Sequence, residues 1–166
     1  MYFNTFNLQI KEDVKTIKIN DMEVQVKQYL PSEDKNNLLQ IAIQSADTNS
    51  ILDTFALDII FHTYLVIKYT DIEFSEEDLD DIFALYDKLE TNGIINEVLI
   101  AIPSEEYTIL KDALEELVTA YNAYNTSSVV VVNRLISFFS SITDELKNID
   151  PEKLKEIAGS IIPKAE

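Results

Sequence analysis

The chain contains no cysteine, which excludes disulfides and thiolate metal sites. A reducing intracellular setting is compatible with that composition. Only two glycines, Gly93 and Gly159, and four prolines interrupt 166 residues. So few breakers favour long continuous elements, above all helices. They also leave no material for a glycine-rich phosphate loop. Arginine occurs once, as Arg134, so bidentate recognition of phosphates or carboxylates is nearly closed to this chain. Histidine occurs once, as His62, and one histidine without cysteine offers too few favoured ligands for a transition-metal site. No cofactor is expected. The opening residues, MYFNTFNLQIKEDVK, have neither a basic start nor an apolar core, so no secretory signal is expected. The longest apolar region, Ile51 to Tyr69, carries Asp53, Asp58, His62 and Lys68 and reads as a buried helix rather than a membrane span.

What is present is apolar residue and acid. The chain is 46% hydrophobic and 26% charged, a balance that fits one globular domain with a sizeable core. Its net charge of −17 repels a phosphate backbone, so direct nucleic-acid binding is not expected. Such a surface keeps a protein soluble and selects basic partners.

Alternation on both sides of Asn20-Asp21 predicts a β-hairpin over about residues 14 to 29, with Ile17 and Ile19 on one face and Met22, Val24 and Val26 sharing a face in turn. Pro31 ends it, and Ser32 is suited to cap a helix that buries Leu38, Leu39, Ala42, Ile43 and Ala46. Residues 48 to 50 form a turn. A central helix of about 51 to 69 follows, apolar nearly all round through Leu52, Phe55, Ile59, Ile60, Leu65, Val66 and Ile67. Ser75 and Asp78 have capping-box spacing at the start of a helix that ends near Gly93, with Leu79, Ile82, Phe83, Tyr86 and Leu89 as its buried face. A short helix stops before Pro103. A long one begins at Ser104 and carries Tyr107, Leu110, Leu114, Leu117, Val118, Tyr121 and Tyr124 at three- and four-residue spacing. Residues 126 to 140 suit either helix or strand, with helix favoured; Asp150-Pro151 opens a final helix that Gly159 ends. The expectation is a mostly α fold, a helical bundle with an N-terminal β-hairpin, as one domain. Residues 1–30 form an extension and the hairpin, 31–142 the helical core, and 143–166 the last helix.

The acid is concentrated. Residues 71 to 116 hold fifteen Asp and Glu against Lys88 and Lys111, a net of −13. Asp71, Glu73, Glu76, Glu77, Asp78, Asp80 and Asp81 crowd the start of one helix. The plain reading is a solvated helix face, since carboxylates favour the positive end of a helix. The functional readings are a docking face for a basic protein and a mimic of nucleic-acid phosphates. A calcium loop counted from Asp71 fails, because its sixth position is Glu76 where glycine is needed and its twelfth is Ile82 where glutamate is needed. His62 follows Asp58 by one helical turn, but no nucleophile-elbow sequence accompanies it, so a structural role is expected. No carboxylate pair stands out for acid–base chemistry. A second cluster is apolar: Val129 to Val132, Leu135, Ile136, Phe138 and Phe139, beside Tyr121 and Tyr124. Core is the plain reading. The alternative is an interface through Tyr121, Tyr124, Val130, Leu135, Phe138 and Phe139, which predicts a homo-oligomer or a permanent partner.

Three segments, KQYLPSEDK (27–35), KYTDIEF (68–74) and LYDKLETNGIINEVLIAIPSEEY (85–107), resemble small acidic helical proteins from the structural or morphogenesis gene clusters of tailed bacteriophages and prophages of low-GC bacteria. The likeness extends over about residues 20 to 140, and the valine-rich stretch after Ser127 departs from it. It implies a non-enzymatic role as a tail assembly chaperone or minor virion component. The partner would be a phage structural protein, and the place of action the host cytoplasm or the virion. The main rival is an acidic inhibitor that blocks a basic host nuclease or polymerase.

Overall fold

Strand β1 (Val14–Ile19) turns through Asn20 and Asp21, both with positive φ, into β2 (Met22–Lys27). Two consecutive left-handed residues match the twist of a tight hairpin, and Asn and Asp tolerate that conformation better than most side chains. The antiparallel register pairs Ile17 with Val24 and Ile19 with Met22. Ile19, Val24 and Val26 are buried, whereas Met22 at the turn is 66% exposed. A computed structural model describes residues 13–126, which lie in the expected mostly α architecture with this hairpin at its start. The chain divides after Asn122 into two compact units. The elements of the described residues belong to the first unit, and the last helix extends three residues past its end.

Helix α1 (Ser32–Ala46) begins directly after Pro31. Ser32 is its first residue rather than its cap: Pro31 holds the cap position at φ −53°, and no side chain bonds the first turn there. The buried stripe is Leu38, Leu39, Ala42 and Ala46, with Ile43 at its margin. A two-residue ladder, β3 (Asp47–Thr48) against β4 (Ile51–Leu52), then replaces the first turn of the expected central helix. Asn49 and Ser50 both have positive φ, so residues 48–51 form a second tight hairpin.

Asp53 explains why α2 (Thr54–Tyr69) starts where it does: its carboxylate accepts from the Phe55 and Ala56 amides, both at 3.0 Å. A helix cannot run through its own cap, so Ile51 and Leu52 are excluded. Phe55, expected inside, is 74% exposed. The rest of α2 is the centre of the fold, with Leu65 and Tyr69 fully enclosed and α1, α4 and α5 packed around it.

The acidic segment forms two helices, not one. Ser75 and Asp78 make a reciprocal capping box on α3 (Glu76–Asp80), and Asp81 then caps α4 (Ile82–Thr91) by accepting from the Ala84 amide at 3.0 Å. Two cap residues six positions apart specify two helix starts. The buried side of α4 is therefore Leu85 and Leu89, flanked by Ile82 and Tyr86, while Leu79 and Phe83 are exposed at 41% and 48%. Asn92 and left-handed Gly93 (φ 71°) turn the chain into α5 (Ile94–Ala101). Pro103 separates it from α6 (Ser104–Asn125). Along α6, Leu110 and Leu114 are buried, Tyr107, Val118 and Tyr121 half-buried, and Leu117 and Tyr124 exposed. Among the described residues no helix is long and apolar enough to cross a membrane. The readings of residues 126–140 and of the final helix lie outside the described residues, apart from Thr126.

Candidate functional site

Among the described residues one carboxylate is buried. Glu106, in the first turn of α6, is 6% exposed and accepts three hydrogen bonds. The Leu30 amide reaches Oε1 at 2.9 Å, the Tyr69 hydroxyl reaches the same oxygen at 2.9 Å, and Lys35 Nζ reaches Oε2 at 2.8 Å. These donors come from the chain after β2, from the end of α2 and from α1. The carboxylate thus joins three elements to α6. Lys35 also lies 4.4 Å from the Tyr29 ring centroid, where its charge meets the face of the ring. A buried charge is tolerated when paired and fully hydrogen-bonded, and this one is. Residues 27–35, 68–74 and 85–107 meet here: Leu30 and Lys35 in the first segment, Tyr69 in the second, Glu106 in the third. What they specify in this chain is the framework.

Burial pushes the Tyr69 phenol well above its ordinary value, and its hydrogen bond to Glu106 and that residue's charge add to the rise. Above about pH 10 the unfolded chain gives up this proton while the folded chain keeps it. Stability is therefore full below that pH and declines above it, by at most about 1.4 kcal/mol per pH unit for this one group. Denaturant titrations between pH 8 and 11 should show the decline, and Tyr69→Phe should make it shallower while lowering stability at neutral pH by about 1–2 kcal/mol. An unchanged alkaline slope in that variant would assign the effect elsewhere.

The seven acidic residues named from sequence do not act alike. The Asp71 carboxylate accepts from the Gln25 amide at 2.8 Å, and the Asp71 amide donates back to the Gln25 carbonyl at 3.3 Å, which fixes the chain after α2 to β2. Asp78 bonds Ser75 and, at 3.2 Å, Lys88; the hydrogen bonds from Ser75 and Lys88 hold its carboxyl below the usual range. Asp81 caps α4. Glu73, Glu76, Glu77 and Asp80 are exposed on the surface that results.

Of the six apolar residues named from sequence, Val130, Leu135, Phe138 and Phe139 lie outside the described residues. Tyr121 is half-buried on α6, and Tyr124 is 69% exposed.

A groove that no single sequence motif announces lies between α2 and α6, with a volume of about 440 Å³. Leu57 and Phe61 line it from α2, and Leu114 and Val118 from α6. Asp58 and Glu115 stand among its lining residues with one lysine, Lys111. His62 and Tyr107 meet at this site: Nε2 is 3.3 Å from the Tyr107 hydroxyl, and Nδ1 is 2.9 Å from the Asp58 carbonyl. A carbonyl only accepts, so Nδ1 carries a proton, and the Asp58 carboxylate lies 3.4 Å from the same nitrogen. The sequence signal for the groove is the recurrence of 54, 57, 58, 61 and 62 on one helix and 107, 111, 114, 115 and 118 on the other. Each set is a helical face, but nothing in either indicates that the two faces are neighbours.

Among the described residues no group of three or more His, Asp or Glu side chains is arranged to hold a metal ion. No protein-family model, curated protein or solved structure matches this chain.

Proposed function

We propose that this chain is a non-enzymatic protein of bacteriophage assembly, a tail assembly chaperone or minor virion component, that works by protein–protein contact in the host cytoplasm or the virion. The observation that carries this reading is the α2–α6 groove. It pairs an apolar lining with the carboxylates of Asp58 and Glu115. A surface of that kind holds an apolar, positively charged segment and keeps it in solution. The resemblance of residues 27–35, 68–74 and 85–107 to phage morphogenesis proteins supplies the setting. The test is co-expression with each virion structural subunit encoded beside its gene. One subunit that is insoluble by itself is expected to become soluble and to co-elute with this chain. Failure with every such subunit contradicts the proposal.

A second reading, mimicry of nucleic-acid phosphates against a basic host enzyme, is favoured by one observation: Glu73, Glu76, Glu77 and Asp80 are exposed together on and beside α3. Asp78 and Asp81 are poor probes of it, because both hold helix starts. Charge reversal at Glu76, Glu77 and Asp80 is the cleaner experiment. Mimicry requires it to weaken inhibition of a nuclease or polymerase by orders of magnitude at low salt.

A further inference from the structure

We propose that the groove between α2 and α6 seats an amphipathic helix of a partner protein, apolar on one face and flanked by lysine or arginine. This rests on the proposed contact function and assigns the site and the chemistry of the contact. The groove follows α2 from Thr54 to His62 and α6 from Tyr107 to Thr119. Thirteen residues of helix span about 18 Å, enough to lie along about three turns of a guest helix. Half-buried Val118 lines the groove, and Phe55, 74% exposed, stands outside the lining on the α2 stripe of Asp58 and His62 (i, i+3, i+7), where the flank of a guest would meet it.

The charges select the guest. On the α2 bank the carboxylate is that of Asp58, whose side chain is 66% exposed. Glu115 faces from the other bank, and Lys111 is the one lysine among the described residues that line the groove. A guest with cations along its flanks meets opposite charge on both sides. A second copy of this chain would bring another net −17 to the same place, which disfavours self-association there.

The test uses the full chain and three labelled 18-residue helical peptides: one with a leucine face and lysine flanks, one with glutamate for the lysines, and one with serine for the leucines. The leucine/lysine helix is expected to bind at least about ten-fold more tightly than either control. Asp58→Asn with Glu115→Gln is expected to weaken it about five-fold or more, while the same charge change at Glu76→Gln with Glu77→Gln weakens it less than about two-fold. Phe55→Ser should also weaken it. Equal loss in the two double variants, equal binding of the serine/lysine helix, or no binding at all overturns the inference. A chain that solubilises a virion subunit yet ignores the leucine/lysine helix retains the contact function and loses this site. A chain that takes the helix in the groove but solubilises no subunit keeps the site and loses the phage setting.

Discussion

Glu106→Ala is expected to destabilise the protein by about 3–5 kcal/mol, the range for removing one partner from a buried ion pair. The carboxylate holds the Leu30 amide, the Tyr69 hydroxyl and Lys35 Nζ, all within 2.9 Å. Alanine leaves all three donors buried or half-buried without an acceptor, and a buried amide left unpaired costs about 1–3 kcal/mol by itself. Glu106→Gln separates charge from hydrogen bonding. It keeps one oxygen acceptor but removes the charge opposite Lys35, so its cost should be smaller than that of alanine. Lys35→Met combined with Glu106→Leu removes both charges together. Their combined cost should fall below the sum of the single changes, because neither charge is then left buried alone. Urea unfolding of the single and double variants measures this directly. Additive costs would show that the 2.8 Å contact contributes little coupling.

Phe61→Ala carries the second large expectation, a loss of about 3–5 kcal/mol. Phe61 is 2% exposed, stands edge-on to His62 with ring centroids 5.3 Å apart, and lies 6.5 Å from the Tyr107 ring. Its removal opens a cavity beneath the groove that the helices on either side cannot close without moving. Phe61→Leu keeps most of the volume and should cost less than half as much. The pair of variants, compared by thermal unfolding, separates loss of packing from loss of the aromatic contacts. If leucine costs as much as alanine, ring geometry rather than volume holds α2 against α6.

Much of the framework is legible in the residues. Asn20-Asp21 marks the hairpin, Pro31 and Pro103 mark helix starts, and Gly93 marks a left-handed turn, because each position depends on backbone chemistry local to a few residues. The misplaced boundaries have local causes too. Asp53 and Asp81 are cap residues, and reading each as part of a helix makes α2 begin too early and merges α3 with α4. The central carboxylate also leaves a trace. Glu106 precedes Leu110 and Leu114 by four and eight residues, and Lys35 precedes Leu39 and Ala46 by four and eleven. An acid and a base each lie on the core-facing side of a helix, and a buried pair accounts for both departures from pattern. The groove has no such trace. Its two banks are separated by more than 40 residues, and only the packing of α6 beside α2 brings them together. Similarly, the seven acidic residues between 71 and 81 read as one patch in sequence but divide in the fold into residues that hold structure and residues that face solvent.

The measurement that bears most directly on the proposed contact function is amide chemical-shift mapping of the full chain, titrated with any virion subunit that co-elutes with it. Perturbations are expected to concentrate in residues 54–62 and 107–119, with Tyr69 and Leu30 at the Glu106 network unmoved. Perturbations spread evenly over the acidic surface, or confined to 73–80, would contradict a groove-mediated contact.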